Sequence, residues 1–150
     1  MTQREMQGMH RQMGGEVAGA EEQIKAGAVT FGLEYRTGVG EAKDEGICIH
    51  VYGNAIAGHD KELLRFDCFR QGPHYHYRNA PIKKNERLML DYTAEGESLA
   101  WALDKIRNRL PTMLLRCEAD DVARAVDQRD INGALPKIVA WAETKTHRRG

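Results

Sequence analysis

Between Val29 and Tyr92 apolar and polar residues alternate with a period of two, the pattern of strands that bury one face. In AVTFGLEYRT, Val29, Phe31, Leu33 and Tyr35 share one side, and Thr30, Gly32, Glu34 and Arg36 the other. GICIHVYG sets Ile47, Ile49 and Val51 against Cys48, His50 and Tyr52, and ELLRFDCFR sets Leu64, Phe66 and Cys68 against Leu63, Arg65, Asp67 and Phe69. HYHYRN opposes Tyr75 and Tyr77 to His74, His76 and Arg78, and ERLMLDY opposes Leu88, Leu90 and Tyr92 to Arg87, Met89 and Asp91. The links GVGEAKDEG, GNAIAGHDK and QGP carry the Gly, Asp, Asn and Pro of tight connections. Five strands are therefore expected to pair in chain order as an antiparallel meander, with every apolar set on one face.

After Thr93 the period becomes helical. ESLAWALDKIRNRL places Leu99, Leu103, Ile106 and Leu110 at helical spacing, with Glu97 at the start and Lys105, Arg107 and Arg109 toward the end, as the helix dipole favours. Pro111 is expected to break or restart this helix. ADDVARAVDQ and DINGALPKIVAWAE read as further short helices capped by Asp120 and Asp130, the last kinked or delayed by Pro136. Strands first and helices after define an α+β domain whose helices gather on the apolar face of the sheet.

Residues 1–27 lack steady periodicity and read as a flexible N-terminal arm, within which EVAGAEEQIKAG has the makings of a short helix stopped by Gly27. The single domain spans 28–145, and 146–150 form a basic tail. The arm holds four methionines in its first thirteen residues, a composition that suits either a free tail or an adhesive segment that orders on a partner.

A chain of 150 residues, 41% hydrophobic and 29% charged, can bury a working core as one domain. Its 22 basic and 22 acidic side chains cancel, so any attraction to nucleic acid must come from a local patch, and no membrane association is expected. Cys48, Cys68 and Cys117 are far apart and odd in number, which fits reduced thiols in a cytoplasmic protein. No apolar leader or membrane-length run occurs, which points to the same compartment.

With helices on the apolar face, the exposed opposite face collects Glu34, Arg36, Cys48, His50, Tyr52, Arg65, Asp67, His74, His76, Arg78, Arg87 and Asp91. His74 and His76, two residues apart on a strand, point the same way with Cα atoms about 7 Å apart. Asp67, Arg65 and His50 are candidate cross-strand neighbours. Three readings compete. In the first, His74 and His76 are an acid/base pair, Asp67 orients a ring, and Arg65 and Arg78 clamp an anion, a set suited to phosphodiester chemistry without any cofactor. The basic, aromatic stretch from Arg65 to Arg87, which includes Lys83 and Lys84, would then hold single-stranded RNA. In the second, His74 and His76 ligate zinc or another divalent metal, with His50, His59 or Asp67 completing the set. In the third, the face is a solvated array of weak cross-strand ion pairs such as Asp67 with Arg78, each worth roughly 0.2–1 kcal/mol. Cys48 and Cys68 read as buried thiols, and Trp101 and Trp141 as core or interface anchors.

LLRFDCFRQGPHYHY, followed by DYTAEGESLAWALDKIRNRL, resembles the TumE-type toxins of prokaryotic toxin–antitoxin pairs over residues 29–110. Arg65, Phe66 and Asp67 match that family's Arg-(Tyr or Phe)-Asp strand, and Pro73, His74 and His76 match its His-rich element. Cys68 stands where the family usually has Asn, the His stretch is shorter, and the helices after Pro111 have no counterpart. The resemblance implies a small intracellular effector that acts on RNA and is neutralised by an antitoxin. The competing class is a non-enzymatic accessory subunit or adaptor of a larger protein assembly, which the Met-rich arm and the Trp-bearing helices would serve.

Overall fold

The computed structural model describes residues 20–54, 62–78 and 85–147. Six strands, β1 (Glu22–Ala26), β2 (Val29–Val39), β3 (Asp44–Gly53), β4 (Glu62–Phe69), β5 (His74–Arg78) and β6 (Asn85–Met89), form one sheet in chain order. Every neighbouring pair is antiparallel. Among the described residues four helices follow: α1 (Tyr92–Glu95), α2 (Ser98–Arg116), α3 (Asp120–Ala125) and α4 (Gln128–His147). The protein is thus an α+β meander, with one strand more than the five that alternation predicts. None of the described helices is long and apolar enough to cross a membrane.

The additional strand, β1, lies in the segment expected to be arm or short helix, which corrects that reading for Glu22–Ala26. Residues 1–19 and 148–150 lie outside the described residues, so the Met-rich stretch and most of the basic tail are not placed. Only Ile24 and Ala26 of β1 are buried, too few to establish a period in the sequence. The link to β2 is two residues long, Gly27 and Ala28, and Gly27 adopts φ 63°, a left-handed conformation that such hairpin turns require and that glycine enters without strain. Glu21, just before β1, accepts a hydrogen bond from Lys145 Nζ of α4, which ties the two ends of the domain together.

The apolar face follows the alternation. Phe31 lies opposite Val51, Leu33 opposite Ile49, Ile49 opposite Phe66, and Phe66 opposite Tyr75. Helix α2 buries Ala102, Ile106, Leu110, Met113 and Leu114 against this surface, and α4 buries Ile131, Ala134, Leu135, Ile138 and Ala142, both at helical spacing. Each large side chain so removed from water contributes roughly 1.5–3 kcal/mol. Trp101 packs on Tyr75, with ring centroids 4.9 Å apart, and edge-on against Phe66 at 6.3 Å, so it serves the core.

The helix boundaries differ from the sequence expectation at three points. Helix α2 runs through Pro111 without a break. A proline there leaves the Arg107 carbonyl without its intrahelical donor, and Gln128 Nε2 donates to that oxygen at 3.0 Å from the start of α4. Helix α3 starts at Asp120 with Ala119 as the flanking residue, so Asp120 is its first residue and no side-chain cap is formed. Helix α4 starts at Gln128 and continues through Pro136, with the Asp127 carboxylate accepting from the Arg129 N–H at 2.9 Å, so Asp130 is not the cap.

At Gly46 the backbones of β3 and β4 approach closely. A Cβ there would lie 2.2 Å from the Cys68 carbonyl oxygen and 2.8 Å from Phe69 Cα, both backbone atoms that cannot rotate away. Gly46→Ala is expected to force β3 and β4 apart and to cost about 1–3 kcal/mol. Urea unfolding measures it, and an unchanged midpoint would show that the strands slide freely at this point.

Candidate functional site

The opposite face of the sheet carries the polar set, and register brings the candidates together. His74 lies directly across from Asp67, and His76 directly across from Arg65. Asp67 Oδ2 is 2.8 Å from His74 Nε2, 3.1 Å from His76 Nε2 and 3.1 Å from Arg65 Nε. Its other oxygen, Oδ1, accepts from the Cys48 thiol at 2.9 Å. The face is not the exposed surface that alternation alone suggests: Asp67 is fully buried, His74 is 8% exposed and His76 5%. Among the described residues no buried side-chain nitrogen or oxygen lacks a hydrogen-bond partner, which is what makes such a buried polar layer stable.

Every ring nitrogen of the histidine pair is engaged. His74 Nδ1 meets the Gly72 carbonyl at 2.8 Å, and His76 Nδ1 meets Asn85 Oδ1 at 2.9 Å. Arg65 Nη2 approaches His76 Nε2 at 2.9 Å. The rings are therefore clamped from behind by oxygen acceptors while both Nε2 atoms face Asp67. Burial alone would raise the Asp67 carboxyl; hydrogen bonds from His74 and His76 and the charge of Arg65 outweigh it and hold the group well below the usual carboxylate range. Burial and the neighbouring Asp67 charge push the Cys48 thiol up, so it is a donor and not a nucleophile. Cys68 and Cys117 are likewise pushed up by burial, Cys117 to about 12, and all three cysteines are free thiols.

Two other expected members stand elsewhere. His50 is not part of the histidine pair: its Nε2 meets Glu34 Oε1 at 2.8 Å and its Nδ1 meets Glu62 Oε2 at 2.9 Å, so both nitrogens are turned to carboxylates other than Asp67. Arg78 donates to Glu62 Oε1 at 3.1 Å, so it belongs to the His50 cluster and clamps nothing over Asp67. His59, Lys83 and Lys84 lie outside the described residues. Among the described residues, Asp67, His74 and His76 form the one group of three or more His, Cys, Asp or Glu side chains whose donor atoms all fall within 4.8 Å of one another.

The site opens into a cleft of about 530 Å³ lined by Arg36, Arg65, Arg87, Asp67, His74 and His76, and rimmed by the β2–β3 hairpin loop and the β4–β5 turn. Asp44 shapes that rim. Its Oδ1 accepts from the Gln71 N–H at 3.0 Å and its Oδ2 from the Gly72 N–H at 2.8 Å, and these backbone donors overcome burial to lower its pKa. The same turn presents the Gly72 carbonyl to His74, so Asp44 helps to set the ring orientation from a distance.

Asn85, Glu62 and Asp44 are the members that sequence reasoning misses. By simple alternation Glu62 shares the side of Leu64 and Phe66. A register shift at Val51/Tyr52 pairs Tyr52 with Glu62, skips Leu63, and turns Glu62 to the polar face while Leu63 enters the core. No residue type at these positions signals that shift.

Fold and site together define an α+β meander domain with a buried Asp/His/His/Arg cluster opening into an arginine-lined cleft. The chain belongs to the family described as Domain of unknown function (DUF7700), whose model matches residues 23–142. No curated protein and no solved structure matches the chain.

Proposed function

We propose that the protein binds a phosphate-containing ligand in this cleft, with single-stranded RNA the form that the resemblance to TumE-type toxins favours. The observation that carries this reading is the meeting of Arg36, Arg65 and Arg87, from three different strands, in one open cleft. Two of the carboxylates there, Asp44 and Asp67, are already committed to internal donors. Guanidinium groups grip phosphate oxygens by paired N–H donors, and a cleft that faces a ligand on one side and protein on the other strengthens that grip. The two histidines add polar edge to the same cavity. Their ring nitrogens are held in place, so cleavage of the ligand would require one of them to exchange its present partner for the substrate. A small effector acting on RNA under the control of a protein antitoxin is the cellular role that fits this reading.

The rim arginines provide the test, because Arg36 and Arg87 stand outside the hydrogen bonds made to Asp67. In Arg36→Ala/Arg87→Ala, binding of a fluorescent single-stranded RNA is expected to weaken about tenfold or more at 0.1 M salt. The slope of log K against log salt should fall by about 1.4, or ~0.7 for each phosphate that is no longer neutralised. Equal affinity and equal slope in the variant would rule the cleft out as the RNA site.

A further inference from the structure

We infer that Asp67, His74 and His76 form a binding site for a single divalent first-row transition ion of the Zn2+ or Fe2+ kind. This stands on the donor geometry and not on the phosphate reading. Such an ion sits about 2.0–2.2 Å from imidazole nitrogen and carboxylate oxygen, which at tetrahedral or octahedral angles spaces adjacent donors about 3.0–3.4 Å apart. The Asp67 Oδ2 to His74 Nε2 and His76 Nε2 separations of 2.8 and 3.1 Å are close to that spacing. Two imidazoles and one carboxylate, with the remaining positions turned to a cleft, are the donor set that borderline ions such as Zn2+ and Fe2+ prefer over Mg2+ or Ca2+.

A second, independent observation is that each ligand is held at its far atom. The Gly72 carbonyl accepts from His74 Nδ1, the Asn85 side-chain oxygen accepts from His76 Nδ1, and the Cys48 thiol donates to Asp67 Oδ1. With each Nδ1 held by these oxygens, both Nε2 atoms are left facing Asp67 Oδ2, where an ion would displace the hydrogen bonds that they now make to it. Arg65 shares that place: its Nε and Nη2 lie 3.1 Å from Asp67 Oδ2 and 2.9 Å from His76 Nε2. Ion and guanidinium therefore compete for one place, and Glu62 Oε1, 4.0 Å from Arg65 Nε, is the acceptor toward which the displaced side chain turns.

The experiment titrates the full chain, stripped with EDTA, with Co2+ while its visible d–d absorption is followed, and counts bound Zn2+ by elemental analysis. One ion per chain is expected. His74→Ala, His76→Ala and Asp67→Asn should each weaken Co2+ binding by more than about 100-fold. Asn85→Ala, which touches no ion and only positions His76, should weaken it by about 10–100-fold. Arg65→Gln should tighten it by about tenfold, since the competing charge is gone. No stoichiometric ion in the wild-type chain overturns the inference, as does binding that survives the ligand variants, which would place the ion elsewhere. Should the ligand variants fail to fold by circular dichroism, Asn85→Ala and Arg65→Gln decide: unchanged Co2+ affinity in both overturns the site. Because RNA binding is read separately, a chain that binds Co2+ but not RNA sinks the phosphate reading alone, and the reverse result sinks only the metal site.

Discussion

Asp67→Ala in the EDTA-stripped protein is expected to lower the unfolding free energy by about 3–5 kcal/mol, the scale on which one partner is removed from a buried, hydrogen-bonded charge pair. Asp67 is fully buried and accepts from Arg65, His74, His76 and Cys48. Its removal strands those donors in a layer that water reaches poorly, and each unsatisfied buried group costs about 1–3 kcal/mol. Part of the loss is recovered, because Arg65 can turn toward Glu62, 4.0 Å away. Asp67→Asn keeps the shape and loses the charge, so it should fall between wild type and Asp67→Ala. Urea unfolding of the three proteins checks the order. A loss under about 1 kcal/mol for Asp67→Ala would mean that the cluster is solvated and held by the backbone alone.

The second large effect is a dependence of stability on pH that comes from His50. Burial acts to lower its pKa, but hydrogen bonds to Glu34 and Glu62 on either side win and raise it from 6.5 to about 8. A group that titrates higher in the folded state than in the unfolded chain binds its proton more tightly when folded. Its contribution is therefore complete below about pH 6.5 and lost as pH rises through about 8. A displacement of that size corresponds to about 2 kcal/mol. The midpoint of thermal unfolding, followed from pH 6 to pH 9, should fall across this window in the wild type and stay flatter in His50→Asn. A flat wild-type profile would show that His50 is neutral between its two carboxylates.

The sheet was legible because its period is short and strict. Val29, Phe31 and Leu33 alternate with polar residues, so the face of each strand could be assigned, and with it the shared side of Asp67, His74 and His76. What escaped depends on neighbours remote in the chain. The passage of α2 through Pro111 relies on Gln128, 21 residues from the Arg107 carbonyl it satisfies. The withdrawal of His50 from the metal set relies on Glu34 across one strand and on Glu62, brought round by a register shift on the next. The burial of the polar face rests on pairing across four strands, which no local window of sequence contains. In β1 the obstacle was brevity, since two buried residues in five do not make a pattern.

All three converging donors belong to one hairpin, β4–β5, with Asp67 and His76 nine positions apart in the chain. The entropy of closing a loop grows only with the logarithm of its length, and hairpins close within about 1–10 μs. The meeting of the three side chains is therefore set by the pairing of two strands, with no helix contributing a residue to it. An ion bound by these three side chains would therefore stabilise the native register of β4 against β5 directly, by binding only the chain in which the two strands are paired.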